Sequence, residues 1–282
     1  MSDTLRILAL GAHPDDCEWA CGGTAAQWAA QGHRVKFVSL TNGDLGHWKT
    51  VGPTLAARRR AEVARAAEIL GVASEVLPTP DGTLTPSLEM RRTVARVIRE
   101  YRPDIVLTHR PNDYHPDHRA AGALVQDCAY LVTIPHYIPE APALDRNPLF
   151  LHFEDEFTRP TAFQADVVVA IDDVWEKKLA ALEAMESQGL EGGCEGGPDT
   201  WPADEAGRRR RAETVRSNYR AFFEGRTRRH RARLEETYGA GAAGRIKVAE
   251  AFEICEYSAS WAAFSKTARR PDGDELRRLF PR

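Results

Sequence analysis

RILALGAHPDD, residues 6–16, joins an unbroken apolar run to a turn and two acids. Arg6 to Leu10 shows no alternation of polar and apolar residues. The run is expected to form a strand buried on both faces, which is the habit of parallel sheets. The same pattern repeats outward from it. Gly22-Gly23-Thr24 opens an Ala-rich helix over Ala25–Gln31, closed by Gly32. A second strand follows at Val35–Leu40, then the polar loop Thr41-Asn42-Gly43-Asp44. Thr54 is placed to cap a long helix ending at Leu70-Gly71. Glu75–Leu77 reads as a short strand, Pro78–Pro86 as a turn-rich loop, and Ser87 as the cap of a helix reaching Tyr101. Ile105–Thr108 is a fourth strand, and Asp117 onward is helical to about Val132. Strand and helix alternate four times. That order predicts an α/β fold with a mostly parallel sheet and helices on both faces. In such sheets the site lies outside the carboxyl ends of the strands.

The second half is less regular. Asp166–Ile171 reads as a strand and Val174 to about Ser187 as a helix, with Asp172 or Asp173 as its cap. Gly189–Gly207 is expected to be a mobile Gly-rich loop, with a lid role open to it. Ala212–Tyr238 reads as a long charged helix within a basic stretch over 208–238, and Lys247–Tyr257 as a return to the core. No internal repeat or strong boundary divides the chain, so a single domain with a C-terminal helical extension is expected over 1–282.

Bulk properties agree with an ordinary globular chain and exclude global disorder. The chain has 282 residues, 43% hydrophobic and 28% charged, and a formal charge of −3. No whole-chain field draws it to a polyanion or membrane. No run approaches the ~18 apolar residues of a membrane span, and Met1–Ile7 lacks the layout of a secretory signal. Five cysteines, an odd number, fit reduced thiols and a cytoplasmic setting.

The chemistry concentrates in two loops. His13-Pro14-Asp15-Asp16 follows the first strand, and Asn112-Asp113-Tyr114-His115-Pro116-Asp117-His118 follows the fourth. Sheet geometry brings these ends together. His13, Asp16 and His118 would supply two imidazoles and a carboxylate to a catalytic Zn2+ with one position left for water. Asp15 would then serve as general base. Protonated His115 would hold the oxyanion and pass its proton to the leaving amine. Asp117 would orient His115 and favour its charged form. The same donor set accepts Fe(II), Mn(II) or Co(II). Cys17 and Cys21, one helical turn apart, offer a different ligand set with His13, which would suit a closed structural site.

These motifs carry a resemblance. AHPDD at 12–16, GGT at 22–24, Arg59-x-x-Glu62, Ser187-Gln188, Ala249-Glu250-Ala251-Phe252 and above all HPDH at 115–118 resemble the LmbE/PIG-L-like zinc-dependent N-acetylglucosaminyl deacetylases over about residues 5–257. The resemblance implies a Rossmann-like fold, removal of an acyl group from an amino sugar or sugar conjugate, and a homo-oligomer. It matches His13, Asp16 and His118 to the metal ligands, Asp15 to the base, His115 to the oxyanion and proton-donor histidine with Asp117 beside it, and Arg59 to a substrate contact. Arg59 reads equally as a surface partner of Glu62 at i,i+3. The sequence departs from the family at Cys17–Cys21 and at Met185-Glu186, which bears on the substrate rather than the metal.

Other residues complete the expected site. Asn112, Asp44 and Trp48 are candidates for substrate contact, with Trp48 stacking on a sugar ring; Asn42 and His47 share their loop. Trp201 in the Gly-rich loop would close over substrate or lie in a disordered segment. Asp81-Gly82 reads as a plain turn near the rim. Two other classes compete with the hydrolase. A non-haem Fe(II) oxygenase uses the same two-His-one-carboxylate set, and leaves Asp15 and His115 without a role. A polyanion-binding protein would use Arg208–Arg211, Arg216, Arg220, Arg226, Arg228, Arg229, Arg231 and Arg233. Pairing of those arginines with acids elsewhere is the preferred reading, so nucleic acid is not an expected partner.

Overall fold

The computed structural model describes residues 4–257, 276 and 278–281. The expected domain over 1–282 and the N-terminal reading from Met1 extend outside these residues. The first half runs β1 (Arg6–Gly11), α1 (Asp16–Ala30), β2 (Arg34–Ser39), α2 (Gly52–Leu70), β3 (Ala73–Val76), α3 (Leu88–Tyr101), β4 (Ile105–Thr108) and α4 (Pro116–Leu131). The second half adds β5 (Leu149–Phe153), β6 (Val167–Ala170), α5 (Trp175–Ala184), α6 (Glu205–Arg229), α7 (Arg231–Tyr238), α8 (Ala240–Ala243) and β7 (Ala249–Ile254). The strands form one sheet in the order β3-β2-β1-β4-β5-β7-β6. Only β7 runs against its neighbours β5 and β6. The expected mostly parallel α/β architecture is what the chain adopts.

The unbroken apolar strands have the predicted cause. Ile7, Ala9, Phe37, Ile105 and Leu107 face one core with α1, α2 and α5. Leu8, Leu10, Val38, Val106 and Phe150 face the other with α3 and α4. The chain leaves β1 toward β2 on one side, and β4 lies on the other. The carboxyl ends of β1 and β4 therefore flank the point where strand order reverses, where open α/β sheets place their ligands.

Several boundaries differ from the sequence reading. The cap of α2 is Val51 with Pro53 in the first turn, so Thr54 lies already inside the helix. β5 was hidden in a segment without a clear strand signature. α6 begins at Glu205, because Asp204 accepts the Gly207 N–H at 2.8 Å, and the basic helix breaks at His230.

The first helix starts at Asp16 rather than at the GGT motif, and it is interrupted at Cys21, whose φ is −139°. The interruption frees amides of the second segment, and Glu250 of β7 takes them. Its carboxylate accepts from the Gly23 N–H at 2.9 Å, the Thr24 N–H at 2.7 Å and the Thr24 hydroxyl at 2.5 Å. Lys178 Nζ, fully buried, donates to the same carboxylate at 2.5 Å and to the Trp19 carbonyl at 2.6 Å. Gly23 must lack a side chain here, since a Cβ would stand 2.7 Å from Ile171 Cδ1. Two motifs some 227 residues apart thus form one buried polar joint. Removing one partner of such a joint strands the other charge away from water. Glu250→Ala is expected to cost about 3–5 kcal/mol of stability, measured by urea denaturation; a loss below about 1 kcal/mol would show that the joint contributes little.

Candidate active site

Both catalytic loops begin where a strand ends. Gly11 closes β1 and must be bare, because a Cβ would meet Asp16 Cβ at 2.7 Å. Asp16 is drawn back over that point by the His13 N–H, which donates to its Oδ2 at 2.7 Å. On the other side, His115 caps α4 and Pro116 fills the first turn, which sets His118 on the inward face of the helix.

The two loops meet. His13 Nδ1 lies 3.2 Å from His118 Nε2 and 3.5 Å from Asp16 Oδ2, and His118 Nε2 lies 3.4 Å from Asp16 Oδ1. Donors around a tetrahedral zinc, each at about 2.0–2.1 Å, stand roughly 3.3 Å from one another. The residues present therefore fit a divalent cation. The outer nitrogens agree. His13 Nε2 faces Asp81 at 3.1 Å and Asp117 at 3.4 Å, and His118 Nδ1 faces Asp113 at 3.1 Å. Carboxylates behind ligating imidazoles fix ring orientation and raise basicity.

Electrostatics point the same way. Burial opposes a charge on His13, but Asp117, Asp16 and Asp81 overrule it and push its pKa up to about 12. Burial likewise opposes His118, yet Asp16 and Asp113 push it up to about 10. Asp16 is held well below the carboxylate range by His118 and His109 against the cost of burial. A pocket that grips protons so firmly is a pocket of strongly negative potential, and a cation feels the same field.

Asp15 stands beside this cluster, 28% exposed, with Arg59 Nη2 at 2.9 Å from its Oδ2. Burial raises its pKa above the ordinary value although Arg59 pulls the other way. A cavity of about 470 Å³ opens from Asp15, Asp16 and His118 toward Trp19, Phe153, Tyr219 and Phe222.

Residues 8–129 match the family model for PIG-L, GlcNAc-PI de-N-acetylase. A diacetylchitobiose deacetylase of Thermococcus kodakarensis is 34% identical over 197 residues, 66% of this chain and 71% of the relative. The chain belongs to the PIG-L de-N-acetylase family. A 4-oxalmesaconate hydratase of Pseudomonas putida is also similar, 31% identical over 64% of this chain and 73% of its own. Among solved structures, the N,N'-diacetylchitobiose deacetylase of Pyrococcus horikoshii superposes with a TM-score of 0.69 over 90% of this chain and 85% of its own, at 24% identity. The last likeness speaks for the PIG-L fold.

Within this PIG-L domain several expected contacts fall elsewhere. Asp117 does not hold His115. Its carboxylate accepts the Gly82 N–H at 2.7 Å and the Leu84 N–H at 3.2 Å, and it faces His13. What holds His115 is the Asp117 backbone N–H, which donates to His115 Nδ1 at 3.2 Å. Arg59 is buried, 3% exposed, and does not pair with Glu62. It donates to the Pro14 carbonyl at 2.9 Å and steadies Asp15, whereas the outward Arg58 takes Glu62 at 2.9 Å. Asp44 accepts the Asp81 N–H at 3.0 Å, Asn112 donates to the Arg159 carbonyl at 3.2 Å, and the Trp48 ring packs under Gly196. None of these three lines the cavity beside the ligands. Cys17 and Cys21 point into the apolar core, where burial pushes both thiols well up, so they are not partners of His13.

The Gly-rich segment is tied down rather than swinging free. Glu191 accepts from Arg58 at 2.7 Å and lies 3.0 Å from His47 Nε2, and the Trp48 N–H donates to the Gly193 carbonyl at 2.9 Å. Trp201 sits under Arg208 and does not line the cavity.

Sequence reasoning passed over His109, and it gave Asp113 no role of its own and read Asp81 as a turn near the rim. His109 directly follows β4, with Nε2 3.1 Å from Asp16 Oδ2 and its ring stacked on His118 at 4.1 Å. Its signal was its place directly after a strand. Asp113→Ala is expected to weaken metal binding about 10–100-fold while all three ligands remain, and His13→Ala to abolish stoichiometric metal. Elemental analysis after dialysis at graded chelator concentrations checks both; unchanged occupancy in His13→Ala would break the ligand set.

Proposed function

We propose that the protein is a metal-dependent amide hydrolase that removes an N-acyl group, in the first instance acetyl, from an amino sugar or sugar conjugate. The observation that carries this reading is Asp15, a carboxylate of raised proton affinity standing beside three donors spaced for one cation. His13, Asp16 and His118 would hold the metal, with zinc the expected ion. A divalent cation there supplies Lewis acidity, which polarises an amide carbonyl and makes water a better acid near neutral pH.

The chain's own groups do the rest. Asp15 takes a proton from the attacking water, and Arg59 keeps its carboxylate turned to the site. His115 accepts a backbone N–H at Nδ1, so its proton rides on Nε2. That arrangement suits a neutral imidazole donating a hydrogen bond to the developing oxyanion. A second proton would have to enter at Nδ1 and break the helix cap. Burial and the neighbouring His13 and His118 also lower its pKa. The expectation that protonated His115 hands a proton to the amine is therefore replaced by return of the proton from Asp15 to the leaving nitrogen.

The oxygenase alternative leaves this Asp15–His115 pair unused. Several of the cations that the polyanion alternative needs are already paired. Arg216 pairs with Glu176 at 2.7 Å and Glu183 at 2.9 Å, Arg220 with Glu176 at 2.8 Å, and Arg229 with Glu156 at 2.7 Å. Among the described residues no helix is long and apolar enough to cross a membrane. The cytoplasmic setting and homo-oligomeric assembly expected from the sequence belong to the same proposal.

Acetate release from N-acetylated sugars and conjugates, run alongside metal analysis, tests the reading. Asp15→Asn is expected to keep its metal and lose about 10²–10⁴ in kcat. Near-normal turnover would remove it as the base. His115→Gln is expected to lose about 10²–10³ in kcat with metal retained; an undiminished rate would mean the oxyanion is held elsewhere.

A further inference from the structure

The cavity beside the ligands has a wall that the catalytic loops do not build. Leu182 of α5, Met185 just after it, and Tyr219 and Phe222 of α6 line its far side. Both helices lie outside the residues matched by the family model. α1 adds Trp19, whose ring meets Tyr219 edge-on at 5.2 Å and Phe222 at 5.1 Å. Trp19 is held from behind, since Lys178 Nζ donates to its carbonyl at 2.6 Å. Phe222, 37% exposed, keeps ring surface open to the cavity.

The charged groups of the same wall are already answered by one another. Glu156 pairs with Arg229 at 2.7 Å, Asp155 with Arg110 at 3.0 Å, and Glu154 lies 3.0 Å from His230 Nε2. Arg226 is paired with Glu154 and Glu156, and its guanidinium lies across the Phe222 ring. Gln188 Nε2 donates to the Gly46 carbonyl at 3.0 Å. Beyond the ligands and Asp15, the cavity therefore offers mostly hydrocarbon and ring surface. Its volume of about 470 Å³ is that of a pocket which encloses a whole small ligand. The methyl of an acetyl group would leave most of it unfilled. An apolar space of this size is stabilised by each methylene that it takes out of water.

We propose that this cavity is an acyl pocket, and that the group removed from nitrogen is a medium-chain fatty acyl in preference to acetyl. The inference rests on the deacylase reading and names the acyl class that the site selects. Under that reading the amine side of the amide is a sugar, whose hydroxyls would lose water against a wall with its donors and acceptors already engaged. The acyl chain is the part of such a substrate without polar groups, and it matches the rings of Trp19, Tyr219 and Phe222. The carbonyl stays at the ligands, the chain enters the cavity, and the sugar remains outside it. The water oxygen bonds to the acyl carbon and the C–N bond breaks. One water proton passes through Asp15 to the nitrogen and the other stays with the acid, so a fatty acid and a free amine leave.

The test compares hydrolysis of N-acetylglucosamine and N-octanoylglucosamine by the metal-loaded full chain, with amine release as the common readout. The octanoyl sugar is expected to show a kcat/KM at least about tenfold higher. Phe222→Gln sets an amide where the chain would lie, and Ala20→Phe narrows the cavity from α1. Each is expected to cut that ratio about fivefold or more with metal content unchanged, and Ala20→Phe decides the matter if Phe222→Gln fails to fold. Calorimetry with octanohydroxamate and acetohydroxamate puts the same question without turnover, and the longer probe is expected to bind at least about tenfold more tightly. Equal or faster hydrolysis of the acetyl sugar by the natural protein, or a ratio that survives both substitutions, would overturn the proposal and leave the deacylase reading standing. No amine release from either sugar, together with a Phe222-dependent preference for octanohydroxamate, would instead sink the deacylase reading and leave the pocket's preference standing.

Discussion

Two imidazole nitrogens, His13 Nδ1 and His118 Nε2, point at each other across 3.2 Å although 105 residues separate them. Bare lone pairs would repel at that distance, so the arrangement needs a shared proton or a cation between them. The surroundings are organised to provide for one. Asp16 completes the ring of donors, Asp81 and Asp117 back one imidazole, and Asp113 backs the other. The parallel pairing of β1 with β4 makes the encounter possible, since it sets Leu10 opposite Thr108 and lets both loops leave the sheet side by side. An antiparallel pairing would send the two loops to opposite ends.

The architecture of the first half was legible because burial on both faces leaves a plain mark, the unbroken apolar strand. The ligand types were legible for a related reason: His and Asp crowded at two strand ends serve poorly as packing. What could not be read was direction. Asp117 neighbours His115 in sequence, but the opening turn of α4 carries its carboxylate toward Gly82 and His13. Arg58 and Arg59 are adjacent, yet about 100° of helical rotation sends one outward to Glu62 and the other inward to Asp15. Sequence adjacency predicts company only within a known rotamer and turn.

The second half hid its order differently. β5 reads LFLHF, and its ladder partners are β4 and β7, the latter far along the chain. Nothing local announces such pairing. The start of α1 was misplaced because GGT opens a helical segment, but the second of two, and the amides it frees are answered by Glu250 from β7. Glycine and threonine there are as much a docking surface for a carboxylate as a helix start. The basic helix was readable in composition and misleading in purpose. Arg216, Arg220 and Arg229 pair with Glu176, Glu183 and Glu156, and that lays an otherwise polar helix over the mouth of the site.

That lid of fixed helix bears on how one scaffold can serve different water-adding reactions. A relative named as a hydratase shares nearly as much sequence with this chain as one named as a deacetylase. A divalent cation and a neighbouring carboxylate activate water equally well for attack on an amide carbonyl or on another electrophilic carbon. The ligand set alone therefore does not choose between them. The choice falls to what the cavity tolerates next to the attacked atom. Here that space is walled by Trp19, Tyr219 and Phe222 and by carboxylates already held by Arg59, Arg110, Arg229 and His230, so its shape and apolar surface rather than a free charge meet what enters beside the attacked atom.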